Sequence, residues 1–315
     1  MDILMLNETE VQRLLDPDAL LEALAEGFRA QSSGLVDAPK RNEIAVPNTG
    51  FLLTMPAYQQ DREVSVKLVS VFHGNERLGL RAHQALICLF DPQTGTPLSI
   101  MDGTYITALR TAGAAALSTR LLAPTDTDVL AIVGAGVQGH SHLRMLPRVR
   151  PFSEIRIASR HVARAEWLTA IDSRVRVVKT AEEAVRGADV VCLCTNAGEP
   201  VISFDWLMPG LHVTSVGYRP PGGELDPRVI EHGRLFVETR LAFEPPPTGC
   251  GELTGFDPSV ATELGEVLLG RSPGRQSKDE LTVYKAMGHA CEDMAAASLV
   301  YHRAQQEGVG LMVVL

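Results

Sequence analysis

The chain has 315 residues, enough for two domains with separate hydrophobic cores. Hydrophobic residues make up 45% and charged residues 21%, proportions typical of a globular enzyme. The formal net charge is −9 and lysine and arginine form no block, which argues against a nucleic-acid partner. The chain shows no apolar run of membrane-spanning length and no signal-peptide pattern near Met1, so we expect a cytoplasmic protein without a membrane partner.

The cysteines are few and have no metal-type spacing. Their number is odd, and two of them alternate within an apolar run that is typical of a buried strand. We therefore expect reduced structural thiols, with neither a metal site nor disulfides. The five residues are Cys88, Cys192, Cys194, Cys250 and Cys291.

The first third of the chain changes from helical to strand periodicity. Asn7 with Glu10 predicts one helix start and Asp16-Pro17 predicts another, because a side-chain oxygen there caps the first N–H groups. Residues 91–95 predict a hairpin connection, and an alanine-rich helix is expected over about 104–122. The β-type runs are Phe51–Met55, Val64–Phe72, Gln84–Phe90 and Pro97–Met101.

From residue 128 the pattern alternates between strands and helices. This alternation is typical of an α/β fold with a parallel, doubly wound sheet. An amphipathic helix over about Leu281–Glu307 is expected to follow the sheet. The predicted strands are Val129–Val133, Ile155–Ala158, Val175–Val178, Val190–Cys194, His212–Val216 and Leu235–Glu238.

Residues 129–139 contain the strongest local motif. An apolar strand runs into Gly134-x-Gly136-x-x-Gly139, and a helix follows. Gly134 permits the tight turn, Gly136 lets the backbone approach a pyrophosphate, and Gly139 lets the helix pack on the strand. The alternative is a glycine-rich turn without a ligand. The strand before it, the helix after it and the repeated alternation favour a Rossmann-type dinucleotide site, with phosphates at the helix N-terminus.

The end of the second strand of this region indicates the cofactor. An NAD site usually places a carboxylate there, against the adenosine 2′-hydroxyl. This chain has Ser159-Arg160-His161 instead. A guanidinium and a hydroxyl are donors suited to a 2′-phosphate, so we expect NADP(H), with NAD(H) as the alternative. The alternative role for Arg160 is stacking on adenine or a solvated surface position.

Several further segments occur in a fixed order along the chain. Together with the glycine motif they resemble the ornithine cyclodeaminase/μ-crystallin family over nearly the whole sequence. The matching segments are residues 55–57 (Met-Pro-Ala), 66–71, 89–97, 101–103 (Met-Asp-Gly), 109–112 (Leu-Arg-Thr-Ala), 134–138, 224–226 (Glu-Leu-Asp) and 282–288 (Thr-Val-Tyr-Lys-Ala-Met-Gly).

This resemblance implies a Rossmann-type doubly wound domain and a second α+β domain. Residues 1–120 with 290–315 would bind the substrate and form a homodimer, and residues 121–289 would bind the nucleotide. Family members transfer hydride between a nicotinamide and a small imino or amino acid. The positions implied to contact the nucleotide are Thr111, Gly134, Gly136, Val137, Gln138, Ser159, Arg160, Thr195, Val216 and Lys285.

The resemblance also implies that Arg41, Lys67 and Arg110 hold the substrate carboxylate, with Lys67 and Arg110 in the catalytic group. From the residues alone, Lys67 interrupts an apolar strand, and a buried ammonium requires an anion. The alternative is a lysine on the polar face of a half-exposed strand. Arg110 near a helix start is equally compatible with a surface position, and Arg41 carries little signal of its own.

One segment departs from the family pattern. Cyclodeaminases and related alanine dehydrogenases have a catalytic aspartate shortly after a strand and a glycine. Residues 216–225 here are one residue shorter, and no carboxylate occupies that position. Tyr218 or Arg219 would perform acid–base chemistry poorly at neutral pH, so ornithine cyclisation is disfavoured. We assign Tyr218 to the catalytic group as a hypothesis, as a proton donor or a wall of the pocket.

Three functions are compatible with these observations. The first is a ketimine reductase, for example of Δ1-pyrroline-2-carboxylate, or an amino acid dehydrogenase. A preformed imine binds already protonated, so its reduction requires less acid–base catalysis. The second is an ornithine or lysine cyclodeaminase that releases ammonia. The third is a crystallin-like protein that binds NADPH without turnover.

Overall fold

The computed structural model describes residues 1–220 and 222–314, and of Tyr218 it describes the backbone alone. The chain forms two compact units. Unit 1 combines Met1–Arg110 with Gly288–Leu315, and unit 2 is Thr111–Met287. The expected boundaries, after residues 120 and 289, differ from these by ten residues and by two.

The helices and strands are numbered here in chain order. The chain begins with β1 (Asp2–Leu6), α1 (Glu8–Leu14), α2 (Pro17–Ser32), β2 (Val36–Asp37), β3 (Asn42–Val46), β4 (Gly50–Gln59), β5 (Val64–Phe72), β6 (His83–Phe90), β7 (Pro97–Asp102) and α3 (Gly103–Leu122). It continues with β8 (Val129–Val133), α4 (Val137–Met145), β9 (Glu154–Ala158), α5 (Val162–Leu168), β10 (Val175–Val178), α6 (Ala181–Val185), β11 (Val190–Leu193), β12 (His212–Ser215), β13 (Tyr218–Arg219), β14 (Gly222–Gly223), α7 (Pro227–His232), β15 (Arg234–Val237), β16 (Thr262–Glu263), α8 (Leu264–Leu268) and β17 (Thr282–Lys285). It ends with α9 (Ala290–Glu307) and β18 (Leu311–Val314).

Unit 1 is built on a mixed sheet with the order β18-β1-β7-β6-β5-β4-β2, and β3 also pairs with β4. Only the β1–β7 pair is parallel among the pairings described. Helix α9 packs on β4, β5 and β6, and α2 packs on α9. Residues of β5 alternate between buried and half-buried, which is the pattern of a sheet with one covered face.

The local predictions for the start of the chain are confirmed. Asn7 and Glu10 form a reciprocal capping box, in which the Glu10 N–H donates to Asn7 over 3.0 Å. The Asp16 carboxylate accepts the Ala19 N–H at 2.8 Å and begins α2. In the hairpin between β6 and β7, one oxygen of Asp91 accepts two backbone N–H groups, which stabilises the turn.

Unit 2 is built on a fully parallel sheet with the order β10-β9-β8-β11-β12-β17-β15-β16. The strand order reverses between β8 and β11, so the expected Rossmann-type doubly wound fold is confirmed. Every residue of β8, β11, β12 and β17 is buried, because a parallel sheet is covered on both faces. The carboxyl ends of β8 and β11 therefore form the edge where such folds bind nucleotides.

The predicted final helix over Leu281–Glu307 is wrong at its start. Residues Thr282–Lys285 form β17 between β12 and β15, and α9 begins only after His289, which is its N-cap. Gly288 has a φ of +74°, which interrupts any continuous helix there. The terminal strands β1 and β18 were not expected. They pair with each other although they lie at opposite ends of the sequence, so no local pattern predicts them.

Two further findings concern the cysteines and the lengths of the helices. The five cysteines all lie in the described part of the chain, are free thiols, and are buried except for half-buried Cys88. Among the described residues, no helix is both long enough and apolar enough to span a membrane.

Candidate active site

The glycine turn of unit 2 has the geometry that the motif requires. Gly134 has a φ of +111°, and a Cβ there would lie 2.5 Å from the Cys194 carbonyl oxygen. A Cβ on Gly139 would lie 2.0 Å from the Gly134 oxygen, so α4 approaches the turn closely. Only glycine permits both approaches, and the turn therefore places the start of α4 directly after β8.

The start of α4 is open. A Cβ on Gly136, the N-cap, would meet no described atom within 4 Å, and no described side chain caps the helix. The first turn carries no acidic residue, and Val137 is largely exposed. These features suit a pyrophosphate approaching the backbone N–H groups of Val137 and Gln138.

The loop between β9 and α5 carries the residues predicted to select the cofactor. Ser159 follows β9 directly, and its hydroxyl accepts the His161 N–H at 3.1 Å. Arg160 is exposed, and its guanidinium has no ion-pair partner among the residues that the structure describes. Because β9 neighbours β8 in the parallel sheet, this loop and the glycine turn lie at the same edge.

Three other predicted contacts lie at neighbouring strand ends. Thr195 follows β11, Val216 follows β12, and Lys285 ends β17. The Lys285 ammonium is completely buried and pairs with Glu252 at 2.5 Å, and the nearby acidic groups outweigh burial and raise its pKa. Its charge is therefore engaged within the protein, and a side-chain contact with the nucleotide stays a prediction. Thr111, buried in α3, likewise stays a prediction.

Unit 1 places Lys67 on the covered face of its sheet. The residue is 2% exposed and alternates with buried Ser65 and Val69, so the alternative of a polar-face lysine is wrong. Its ammonium lies 2.6 Å from a carboxylate oxygen of Asp293 in α9. Burial lowers the pKa of Lys67 to about 8, although Asp293 opposes the shift.

Arg110 is also buried and shares a carboxylate with Lys67. Its Nε donates to Asp293 over 3.0 Å, and Nη1 lies 3.2 Å from Glu292. Burial acts to raise the pKa of Asp293, but Arg110 and Lys67 outweigh it and the net shift is downward. The alternative of a surface arginine is therefore wrong. Asp293 holds two of the predicted substrate-binding cations in one place.

Arg41 reaches the same cluster through the backbone of Gly288. Its Nη2 donates to the Gly288 carbonyl oxygen at 2.5 Å. A Cβ on Gly288 would lie 2.7 Å from both terminal nitrogens of Arg110, so the glycine packs against that guanidinium. The structure thus brings Arg41, Lys67 and Arg110 together, and Gly288 is a component that the sequence reasoning did not assign.

Two histidines adjoin these cations and are held neutral. Burial, with Lys67 and Arg110 nearby, lowers the pKa of His83 to about 4. Burial, with Arg41 nearby, lowers the pKa of His289 to about 4. His289 caps α9 by accepting the Cys291 N–H.

The third predicted catalytic residue is only partly described. The backbone of Tyr218 pairs with Gly223 in the short β13–β14 hairpin. Its side chain lies outside the described residues, so its role stays a prediction.

Comparison with known proteins agrees with this geometry. The sequence model of the Ornithine cyclodeaminase/mu-crystallin family matches residues 1–308. The chain belongs to this family.

The members most informative for function are similar over nearly their whole length. The chain is 39% identical over 304 residues to the ketimine reductase mu-crystallin of Mus musculus, covering 94% of this chain and 96% of that protein. The structure of Thermococcus litoralis Δ1-pyrroline-2-carboxylate reductase in complex with NADH and L-proline has a TM-score of 0.93 and 31% identity, with 99% of this chain and 100% of that chain covered. An archaeal alanine dehydrogenase dimer with bound NAD has a TM-score of 0.89 and 29% identity, with both chains fully covered.

These relatives confirm the family predicted from the sequence. They also confirm the expected function class, an NAD(P)H-dependent oxidoreductase of small imino or amino acids. A nicotinamide cofactor agrees with the structures that contain NADH or NAD, whereas the preference for NADP stays a prediction for this family member.

Proposed function

We propose that this protein is an NADPH-dependent ketimine reductase that reduces a small cyclic imino acid with one carboxylate, such as Δ1-pyrroline-2-carboxylate. The observation that carries the proposal is the cluster of buried Lys67 and Arg110 with half-buried Arg41 in unit 1. The carboxylates of Glu292 and Asp293 hold these cations in place, and a cluster rich in cations is suited to an anionic substrate group.

The charge of this cluster supports a substrate that carries a carboxylate. Arg41, Lys67 and Arg110 contribute three positive charges, and Glu292 and Asp293 contribute two negative charges. The adjoining histidines are neutral at physiological pH. This arrangement of cations suits the carboxylate of an imino acid.

The proposed reaction adds one hydride and one proton across a C=N bond. When bound, the nicotinamide supplies the hydride to the imine carbon, and the imine nitrogen keeps the proton with which it binds. The residues of this chain then bind and orient the substrate carboxylate through Lys67 and Arg110. This reaction does not need the aspartate that the cyclodeaminases have at the position of residues 218–219. Tyr218 remains the proposed wall or proton donor.

The preference for NADPH is supported by the loop after β9. The exposed Arg160 guanidinium and the Ser159 hydroxyl are available to a 2′-phosphate, and no carboxylate occupies the loop to repel it. The open N-terminus of α4 suits the pyrophosphate of either cofactor.

We also propose that the protein is a homodimer located in the cytoplasm. The archaeal relative is a dimer. In unit 1 all of β3 is exposed, and the exposed fractions of Ile44 and Leu86 are 61% and 51%. Exposed apolar side chains on a sheet favour association with a second copy. Sedimentation velocity of the purified protein, with Leu86→Glu as the disrupting variant, tests the dimer.

Steady-state kinetics test the activity directly. We expect reduction of Δ1-pyrroline-2-carboxylate and its six-membered homologue with NADPH, and a lower kcat/KM with NADH. Ornithine, lysine and alanine are tested in parallel. Release of ammonia from ornithine or lysine without net consumption of cofactor would contradict the proposal in favour of cyclodeamination. Tight NADPH binding with no turnover on any imine would identify a binding protein instead.

A further inference from the structure

Glu224 is a completely buried carboxylate that receives four hydrogen bonds. Its Oε2 accepts the Thr195 backbone N–H at 2.8 Å and the Thr195 hydroxyl at 2.7 Å. Its Oε1 accepts the Gly217 backbone N–H at 2.6 Å and the Ser215 hydroxyl at 2.9 Å. Each oxygen is thus occupied by one backbone and one hydroxyl donor, and the exposed fraction of Glu224 is 0%.

These donors come from two adjacent strand ends. Thr195 lies just after β11, and Ser215 and Gly217 lie at and just after the end of β12. A Cβ on Gly217 would lie 1.9 Å from the Thr195 carbonyl oxygen, so the two connections touch through their backbones. The glycine turn after β8 adjoins the same place, because a Cβ on Gly134 would lie 2.5 Å from the Cys194 oxygen.

A third strand end joins through Lys285 of β17. Its Nζ donates to the Ser215 hydroxyl over 3.0 Å and to the Gly217 carbonyl oxygen over 2.7 Å. The ion pair of Lys285 with Glu252 anchors the ammonium from its other side. Glu224 therefore lies at the centre of a buried network that joins the carboxyl ends of β11, β12 and β17.

We propose that Glu224 is a positioning residue that fixes the connections holding the nicotinamide half of the dinucleotide. The inference rests on the proposed use of a nicotinamide cofactor. In doubly wound sheets the ligand lies outside the carboxyl ends of the strands, with the pyrophosphate at the glycine turn. The loops after β9 and β8 serve the adenosine and phosphate groups, and this leaves the β11 and β12 connections for the nicotinamide.

The substitution Glu224→Gln tests this role with little change of volume. Because each carboxylate oxygen accepts a backbone N–H, the amide group of glutamine faces one of these donors in either orientation. One buried N–H is then left without an acceptor, either at Thr195 or at Gly217. We expect the dissociation constant of NADPH to rise roughly 10- to 100-fold. We also expect kcat to fall, and the isotope effect with 4-deuterated NADPH to increase.

Binding of a truncated nucleotide separates positioning from general destabilisation. The probe is 2′-phospho-ADP-ribose, which has the adenosine and pyrophosphate groups but no nicotinamide. We expect Glu224→Gln to bind this fragment as wild type does while binding NADPH more weakly. Equal weakening of both ligands, or no weakening of either, would overturn the inference. If wild type binds the fragment and NADPH equally and shows no turnover, the proposed function itself fails.

Two further variants complete the test. Ser215→Ala removes one donor to Glu224 and one acceptor of Lys285, but it leaves both backbone donors and two other partners of Lys285 in place. It should therefore fold and show a smaller effect in the same direction. Asp189→Asn is the matched control, since Asp189 accepts the Asp128 and Val129 N–H groups at the opposite edge of the same sheet. It should leave the affinity for NADPH unchanged. Weakened NADPH binding in Asp189→Asn, or an unchanged NADPH affinity in Ser215→Ala, would contradict the assignment.

Discussion

The proposed binding sites of the two units consist of different chemical groups. In unit 2 the pyrophosphate site is made of backbone N–H groups and glycines within residues 129–139. In unit 1 the carboxylate site is made of charged side chains, and Arg110 is separated from Asp293 by 183 positions. The first site is local in sequence and carries no formal charge. The second is assembled by the tertiary fold and depends on charge.

This difference predicts different weaknesses. A backbone site is sensitive to an added Cβ, because the ligand must approach the main chain closely. A buried charged site is sensitive to loss of one charge, because the partner then remains buried without compensation. Substitutions that remove a charge should therefore mainly impair binding at the unit 1 site. Substitutions that replace a glycine should mainly impair binding at the unit 2 site.

The largest effect is expected from Asp293→Asn in unit 1. The substitution removes the carboxylate that pairs with both Lys67 and Arg110. The free energy of unfolding should fall by about 3 kcal/mol, the cost of breaking a buried ion pair. Misplacement of the two cations should lower kcat/KM for the imine by roughly 100-fold. Denaturant unfolding and steady-state kinetics measure the two effects.

The matched control is Glu307→Gln, which breaks the exposed ion pair of Glu307 with Arg13, 3.0 Å apart. Exposed pairs contribute less than about 1 kcal/mol, and this one should leave activity unchanged. If Asp293→Asn changed the free energy of unfolding and kcat/KM as little as this control does, the cluster would not be the charge-dependent site described here.

The next largest effect is expected from Gly136→Ala in unit 2. The added Cβ meets no described atom within 4 Å, and the φ of −85° suits alanine. The melting temperature should therefore stay unchanged. The added Cβ should nevertheless obstruct the pyrophosphate and weaken dinucleotide binding roughly 30-fold, about 2 kcal/mol. Calorimetry of the protein and titration with NADPH measure both quantities.

Gly134→Ala is the contrasting variant at the same turn. Its φ of +111° and the close Cys194 oxygen exclude a Cβ, so this variant should lose stability as well as binding. Equal melting temperatures for the two variants would mean that the turn is less constrained than the structure indicates.

The same contrast explains how much the sequence predicts. The capping box at Asn7, the hairpin at Asp91 and the glycine turn at Gly134 are local features, and each was predictable from adjacent residues. Strand β17 was not, because its identity depends on pairing with β12 and β15 from distant parts of the chain. A short segment of four residues has no periodicity that separates a strand from a helix start.

Asp293 illustrates the limit for the candidate site. Sequence reasoning found the cations Lys67 and Arg110 but not the carboxylate that joins them. One signal was present: Glu292 and Asp293 are adjacent carboxylates directly before the apolar run 294–297. Buried carboxylates require cations, so that pair predicts ion partners elsewhere in the chain. It does not predict which ones, since the partners are brought together only by the packing of α9 on β5.

A smaller and more selective effect is expected from Arg160→Ala. Loss of one charge-assisted hydrogen bond to the 2′-phosphate should raise the dissociation constant of NADPH roughly tenfold and leave that of NADH unchanged. Arg176→Ala, an exposed arginine of the neighbouring strand β10, is the control and should alter neither constant. A rise for both cofactors in Arg160→Ala would assign Arg160 to adenine stacking instead.

The smallest effect is a pH dependence that arises in unit 1. Carboxylate binding needs a charged Lys67, and the pKa of Lys67 in the folded protein is lowered to about 8. The value of kcat/KM, which reports the free enzyme, should therefore fall about fourfold between pH 7 and pH 8.5. Lys67→Arg stays charged in this range, so its profile should lack this decrease but keep any decrease caused by titration of the imine.

Stability should change in the opposite direction over a neighbouring pH range. Since the folded pKa of Lys67 is below the ordinary value of 10.5, the unfolded chain binds more protons between pH 8 and pH 10.5. The free energy of unfolding of wild type relative to Lys67→Arg should rise as pH increases through this window. With increasing pH, activity should thus fall while relative stability rises. Both changes come from Lys67, because its positive charge binds the substrate but is costly to bury. A relative stability that is flat or falls over this window would mean that Lys67 keeps its ordinary pKa.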